Sequence, residues 1–135
     1  MPASRPPTGS PQDWLARARG DLGLAGVPLP PGCFYEDLCF HAQPAAEKAL
    51  KAIYMDRGWT FRYVHDLEEL LVGLTKGGLT PPPKVGQAKL LTAYAFEARY
   101  PGPGEPIGED EYKRALESAK AVVDWAVSVV ERHYA

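Results

Sequence analysis

A chain of 135 residues, 45% hydrophobic and 24% charged, has the size and makeup of one folded domain with one core and excludes a wholly disordered protein. Fifteen Lys and Arg against 17 Asp and Glu leave a formal charge of -2, so no bulk electrostatic pull draws it to nucleic acid and any RNA or nucleotide contact has to be local. No stretch approaches the roughly 20 apolar residues of a membrane span, and no apolar segment near the first Met suits a signal peptide, which points to a cytoplasmic protein with no membrane partner.

Residues 1–9 hold three prolines and little to bury, so they are expected to form a flexible tail, with a single domain over 10–135. The first helix is announced by Ser10-Pro11-Gln12-Asp13: a Ser cap, a Pro at the first helical position and an acid that suits the exposed amides. Leu15, Ala18, Leu22 and Ala25 then recur at helical spacing as one buried stripe. Gly20 and Gly23 interrupt it at about 1 kcal/mol each against Ala, so packing and not propensity has to hold this helix.

Pro28, Pro30, Pro31 and Gly32 mark a loop, and a longer helix is predicted over about 34–57. Leu38, Ala42, Ala45, Ala49 and Ile53 give it a narrow stripe of mostly small residues that admits a close neighbour, and Glu47 with Lys51 makes a favourable i, i+4 pair. Pro44 is the anomaly: it removes a backbone hydrogen bond and predicts a kink near Phe40 at a cost of about 3 kcal/mol.

Trp59-Thr60-Phe61-Arg62-Tyr63-Val64 has the β-branched and aromatic content of a strand. A lone strand has no partner here, however, and Asp66 with Glu69 forms a capping-box pattern that starts a third helix straight afterwards. Leu67, Leu70, Leu71 and Leu74 are its core face, and Gly77-Gly78 its end. Pro81, Pro82 and Pro83 lead into a fourth predicted helix, with Val85, Ala88, Leu91, Ala95 and Phe96 inward, reaching Ala98 or Arg99. Pro101, Gly102, Pro103, Gly104 and Pro106 forbid helix. The fifth begins around Glu109-Asp110-Glu111 and carries Tyr112, Leu116, Ala119, Val123, Ala126 and Val130 inward. The expected fold is all-α, an up-and-down antiparallel helical bundle of four to five helices.

Cys33 and Cys39 have no second Cys or His pair to complete a zinc site and no basic cluster to lower a thiol pKa. They read as reduced, buried or half-buried thiols, and no metal or cofactor is expected. The Gly-rich loop over 101–108 lacks a Lys-Ser/Thr ending and follows a helix, so it is no phosphate-binding P-loop.

Phe34-Tyr35-Glu36-Asp37-Leu38-Cys39-Phe40-His41-Ala42-Gln43, followed by Ala45-Ala46-Glu47-Lys48-Ala49-Leu50-Lys51-Ala52, resembles the signature helix of HEPN proteins. Three further stretches follow the family's order: Asp13-Trp14-Leu15 with Ala18, His65-Asp66-Leu67 with Leu70-Leu71, and Leu91-Thr92 with Tyr94 and Ala98-Arg99-Tyr100-Pro101. The resemblance covers the chain from about residue 12 onward. It implies a helical bundle that pairs as a homodimer, often encoded beside a minimal nucleotidyltransferase, with nucleotide- or RNA-directed roles that include toxin ribonucleases.

Catalytic members carry an Arg and a His with four to six residues between them. Arg99 stands near that Arg, but Gly104, Glu105 and Pro106 occupy the offsets where the His belongs. A metal-independent ribonuclease needs a group titrating near neutrality and a cation for the charged phosphorane, and His65 or His41 with Arg99 are the candidates. Each has a plainer role beside it: His65 as a residue bonded to backbone before a helix cap, His41 as a packing residue, Arg99 as a cation at a helix C-terminus. Lys48, Lys51 and Arg62 are candidates for a phosphate-facing patch, or one solvated charged face. Tyr100 either stacks on a base or sits in the core with its hydroxyl at the rim.

The missing histidine favours a HEPN-type module, without catalysis or nearly so, that dimerises and binds a nucleotide, RNA or a minimal nucleotidyltransferase partner in a toxin–antitoxin-like system. The alternatives are a toxin-like endoribonuclease using Arg99 and a His, and a purely structural dimeric scaffold.

Overall fold

The computed structural model describes residues 4–95 and 106–133. Helix α1 (Pro11–Ala25) starts where its sequence says: the Ser10 hydroxyl accepts from the Asp13 N–H at 3.1 Å, and the Asp13 carboxylate accepts from the Gly9 N–H at 2.9 Å. Leu15, Ala18 and Ala25 are buried as expected, with Leu22 packed against the same core.

Helix α2 (Tyr35–Arg57) runs through Pro44 without interruption. Ala42, Ala45, Ala46 and Ala49 around the proline are all buried, so tertiary packing holds the turn that lacks a donor. The helix stops at Gly58, whose φ of 71° is the left-handed conformation that an L side chain resists, and the Trp59 N–H closes the end on the Tyr54 carbonyl at 2.9 Å.

Residues 59–66 form no strand. Their aromatic content serves packing instead: Phe61 meets Trp14 edge-on at 5.9 Å and Tyr54 at 5.8 Å, and Trp59 meets Tyr54 at 6.0 Å. Helix α3 (Leu67–Lys76) is capped by Asp66, which accepts from the Glu69 N–H at 3.2 Å. The reciprocal half of the capping box does not close, because the Glu69 carboxylate takes Arg62 Nε at 2.7 Å. Leu67, Leu70, Leu71 and Leu74 face inward.

The predicted fourth helix takes a different form. One α turn, α4 (Pro83–Gly86), passes into a 3₁₀ segment over Gln87–Ala95. Val85, Ala88 and Leu91 are buried and Tyr94 packs on the core, a spacing of three that puts all four on one face of a helix with three residues per turn. An α-helix would rotate that series steadily off the core. The expected continuation to Ala98 or Arg99 lies outside the described residues.

Helix α5 (Glu109–His133) buries Tyr112, Ala115, Ala119, Val122, Val123, Ala126, Val129 and Val130. Helix α2 is the centre of the bundle, packing on α1, α5 and the 3₁₀ segment. Helix α1 lies antiparallel to α2, since Trp14 faces Lys51 while Asp21 faces Lys48. It is also antiparallel to α5, since the Tyr112 hydroxyl donates to the Ala25 carbonyl at 2.6 Å while Leu15 and Val130 line one shallow groove at the other end. The starts of α2 and α5 meet in a Tyr35–Tyr112 stack at 5.1 Å and a 2.9 Å bond from the Ile107 N–H to Glu36. The expected all-α helical bundle is therefore what the chain adopts.

Candidate functional site

Gln43, Glu47 and Lys51 stand four residues apart on α2, so they share one face of the helix. That face is covered: they are 2%, 5% and 5% exposed, which no solvated charge stripe would be. Trp14 from α1 and Phe61 from the segment after α2 supply the cover, with Lys51 Nζ 5.8 Å and 5.0 Å from their ring centroids.

Burial of charge demands full pairing, and Glu47 is where the bonds converge. Its Oε2 accepts from Lys51 Nζ at 2.9 Å and its Oε1 from Gln43 Nε2 at 2.9 Å, while His65 Nδ1 lies 2.8 Å from that same Oε1. Burial alone would raise the Glu47 carboxyl, but the hydrogen bonds from Lys51, Gln43 and His65 and the charge of Lys51 outweigh it and hold the group below the usual carboxylate value. His65 keeps a 60% exposed side chain, so its ring joins a buried carboxylate on one side to solvent on the other. This is the geometry of an oriented imidazole, with Nδ1 committed to a carboxylate.

A second, smaller group lies on the α1–α2 seam. Asp21 holds Lys48 Nζ at 2.6 Å and has His41 Nδ1 at 3.8 Å. Arg62 is the third cation of the expected phosphate patch, with a 72% exposed side chain on Glu69. Lys48, Lys51 and Arg62 thus each engage a different carboxylate, and Lys51 faces the interior. Arg99 and Tyr100 lie outside the described residues.

The bundle brings together Glu47, Lys51 and His65, with Arg62 three residues from His65 on the same short segment. It keeps His41 apart, on the Asp21 seam. Sequence reasoning paired Glu47 with Lys51 but missed Glu47 as the hub. The available signal was the four-residue spacing Gln43-Glu47-Lys51, a run of polar groups on the helix with the smallest side chains. Tyr63, between Arg62 and His65, was also missed as a surface residue. Among the described residues no buried side-chain N or O lacks a hydrogen-bond partner, and no cluster of His, Cys, Asp and Glu could hold a metal. None of their helices is long and apolar enough to cross a membrane.

The chain matches the family model of the HEPN domain over residues 11–131. Among solved structures it is similar to ST0689, described as an archaeal HEPN homologue, at 26% identity and a TM-score of 0.73, covering 91% of this chain and 99% of that one. It is also similar to TT1696 from Thermus thermophilus, at 31% identity and a TM-score of 0.76, covering 88% of this chain and 97% of that one. A comparison with curated proteins gives no match.

Proposed function

This chain belongs to the HEPN domain family, and from that premise we propose that it is a module that binds RNA through the segment over 62–65 without cleaving it. The observation that carries the reading is the pinning of that segment: Arg62, 72% exposed, is held by Glu69, and His65, 60% exposed, is held by Glu47. Exposed cationic and hydrogen-bonding side chains fixed before the ligand arrives lose little freedom on binding. The Arg62 guanidinium has five N–H donors in a plane that fits a phosphate. Lys48 adds a partly exposed ammonium on α2, while Lys51 acts from behind by setting the position of Glu47.

With a formal charge of -2 the protein relies on this local contact, so its affinity for RNA is modest and falls gently with salt. Fluorescence anisotropy of a labelled single-stranded RNA tests it. Arg62→Ala weakens binding and flattens the salt dependence by about 0.7 in log–log slope, the share of one phosphate on a single strand. Wild-type protein that leaves the RNA untouched at low salt would refute the reading.

A ribonuclease is the second reading, and the Glu47–His65 contact favours it, because a carboxylate that orients an imidazole is the usual support for a general base or acid. End-labelled RNA incubated with chelator separates the two: cleavage that disappears in His65→Ala makes the protein an enzyme, and intact RNA leaves it a binder. The family's habit of pairing supports a homodimer and a minimal nucleotidyltransferase as partners. Light scattering on the purified chain tests the first, and co-purification with the product of an adjacent nucleotidyltransferase gene tests the second.

A further inference from the structure

The segment between α2 and α3 has no regular structure, yet three of its side chains are anchored. Phe61 is packed among Trp14, Tyr54 and Lys51, Arg62 is bound to Glu69, and His65 is bound to Glu47. Tyr63 lies between these anchors and is 93% exposed, more than Leu90 at 73% or Phe34 at 67%. Its ring touches the edge of Phe61, at 5.9 Å between centroids and 68° between planes, which steadies one side and leaves most of the ring in water.

A large aromatic held almost wholly in solvent, on a segment fixed at both flanks, loses little freedom when a ligand meets it. Its neighbours indicate which kind. Arg62 stands beside Tyr63 and His65 two residues on, with side chains 72% and 60% exposed. One flat ring beside a guanidinium is the combination that takes an unpaired base together with its phosphate.

We propose that Tyr63 is a stacking platform for one base of single-stranded RNA, with Arg62 placed for the adjoining phosphate. The proposal rests on the RNA-binding reading above and adds what that reading does not contain, a residue that meets the base. Stacking tolerates any base, so the platform selects for single strands over duplex and not for sequence.

The test is anisotropy with a labelled 12-residue oligoadenylate, its counterpart with abasic positions throughout, and a duplex of equal length, against wild type, Tyr63→Ala, Tyr63→Phe and Tyr63→Trp. Tyr63→Ala binds the single strand roughly 10- to 100-fold more weakly, the range for loss of one aromatic–base stack. Tyr63→Phe and Tyr63→Trp stay close to wild type, because the ring and not the hydroxyl carries the contact. The abasic strand binds wild type as weakly as the normal strand binds Tyr63→Ala, and wild type prefers single strand to duplex. A residue this exposed is replaced without loss of fold, which unchanged thermal melting of each variant verifies.

Equal binding of the single strand by wild type and Tyr63→Ala would overturn the platform and leave the RNA reading standing. Loss of binding in Tyr63→Phe would also overturn it, by assigning the contact to the hydroxyl. No RNA binding by wild type would overturn both readings.

Discussion

Removal of the Glu47 carboxylate strips the acceptor from three groups at once. In Glu47→Ala the Lys51 ammonium, 5% exposed, stays in the interior with only the faces of Trp14 and Phe61 beside it, and Gln43, 2% exposed, loses its acceptor. Breaking a buried ion pair from one side costs about 3–5 kcal/mol. The two rings return about 1 kcal/mol and the orphaned Gln43 amide adds about 1 kcal/mol, so the sum stays near 3–5 kcal/mol. That is a large part of the stability of a domain this size and corresponds to a fall in melting temperature of roughly 10–20 °C. Lys51→Met is milder, at about 1–3 kcal/mol, because Glu47 keeps Gln43 and His65. Combining Glu47→Leu with Lys51→Met removes both charges, and against the Glu47→Leu and Lys51→Met single variants this double variant is more stable than the sum of their losses implies, by about 2 kcal/mol. Urea denaturation followed by circular dichroism measures all of this, with an unchanged slope as the sign that only the native state was altered. Glu47→Ala within about 1 kcal/mol of wild type, or a double variant that is merely additive, would refute the hub.

The same carboxylate sets an acid limit. Glu47 titrates in the folded protein below its ordinary value of 4.5, so its contribution is complete above that pH and is lost as the pH falls through the folded value; urea midpoints of wild type decline below about pH 4.5, and more shallowly in Glu47→Gln. Asp13, lowered from 3.8 mainly by the Gly9 N–H, adds to the decline in the lower part of the same range. Gly73→Ala, normally favourable inside a helix by about 1 kcal/mol, here destabilises by about 1–3 kcal/mol, because the new methyl group collides with the Tyr54 hydroxyl that donates to the Leu70 carbonyl at 2.6 Å; a Tyr54→Phe background relieves part of the loss in thermal melts. Cys39 is buried and its thiol is pushed up to about 12 by that burial and by the Glu111 and Glu36 charges, so a disulfide reagent at pH 8 modifies Cys33 in the native protein and reaches Cys39 only after denaturation.

Helix ends were legible because their signals are local. Ser10 with Pro11, Asp66, and Gly77 act on backbone groups a few residues away, and each does so in the structure. The rejection of a strand at 59–64 was equally secure, since a strand needs a partner and none was written in the chain. The 3₁₀ segment was written as well, in the three-residue spacing of Val85, Ala88, Leu91 and Tyr94, but that pattern differs from an α-helical stripe only after two turns.

Which charged face is covered is a different kind of question. Periodicity places Gln43, Glu47 and Lys51 together on α2, yet an i, i+4 pair looks the same on a solvated surface and under two aromatic rings. The decision came from Trp14, thirty-three residues before Glu47, and from Phe61 and His65, fourteen and eighteen residues after it. The exposure of Tyr63 was settled in the same way, by anchors on α2 and α3 that pin the segment around it. Capping, turn chemistry and stripe spacing depend on neighbours along the chain and so belong to the sequence itself; burial of a charge and exposure of a ring depend on what packs across from them, which only the assembled bundle decides.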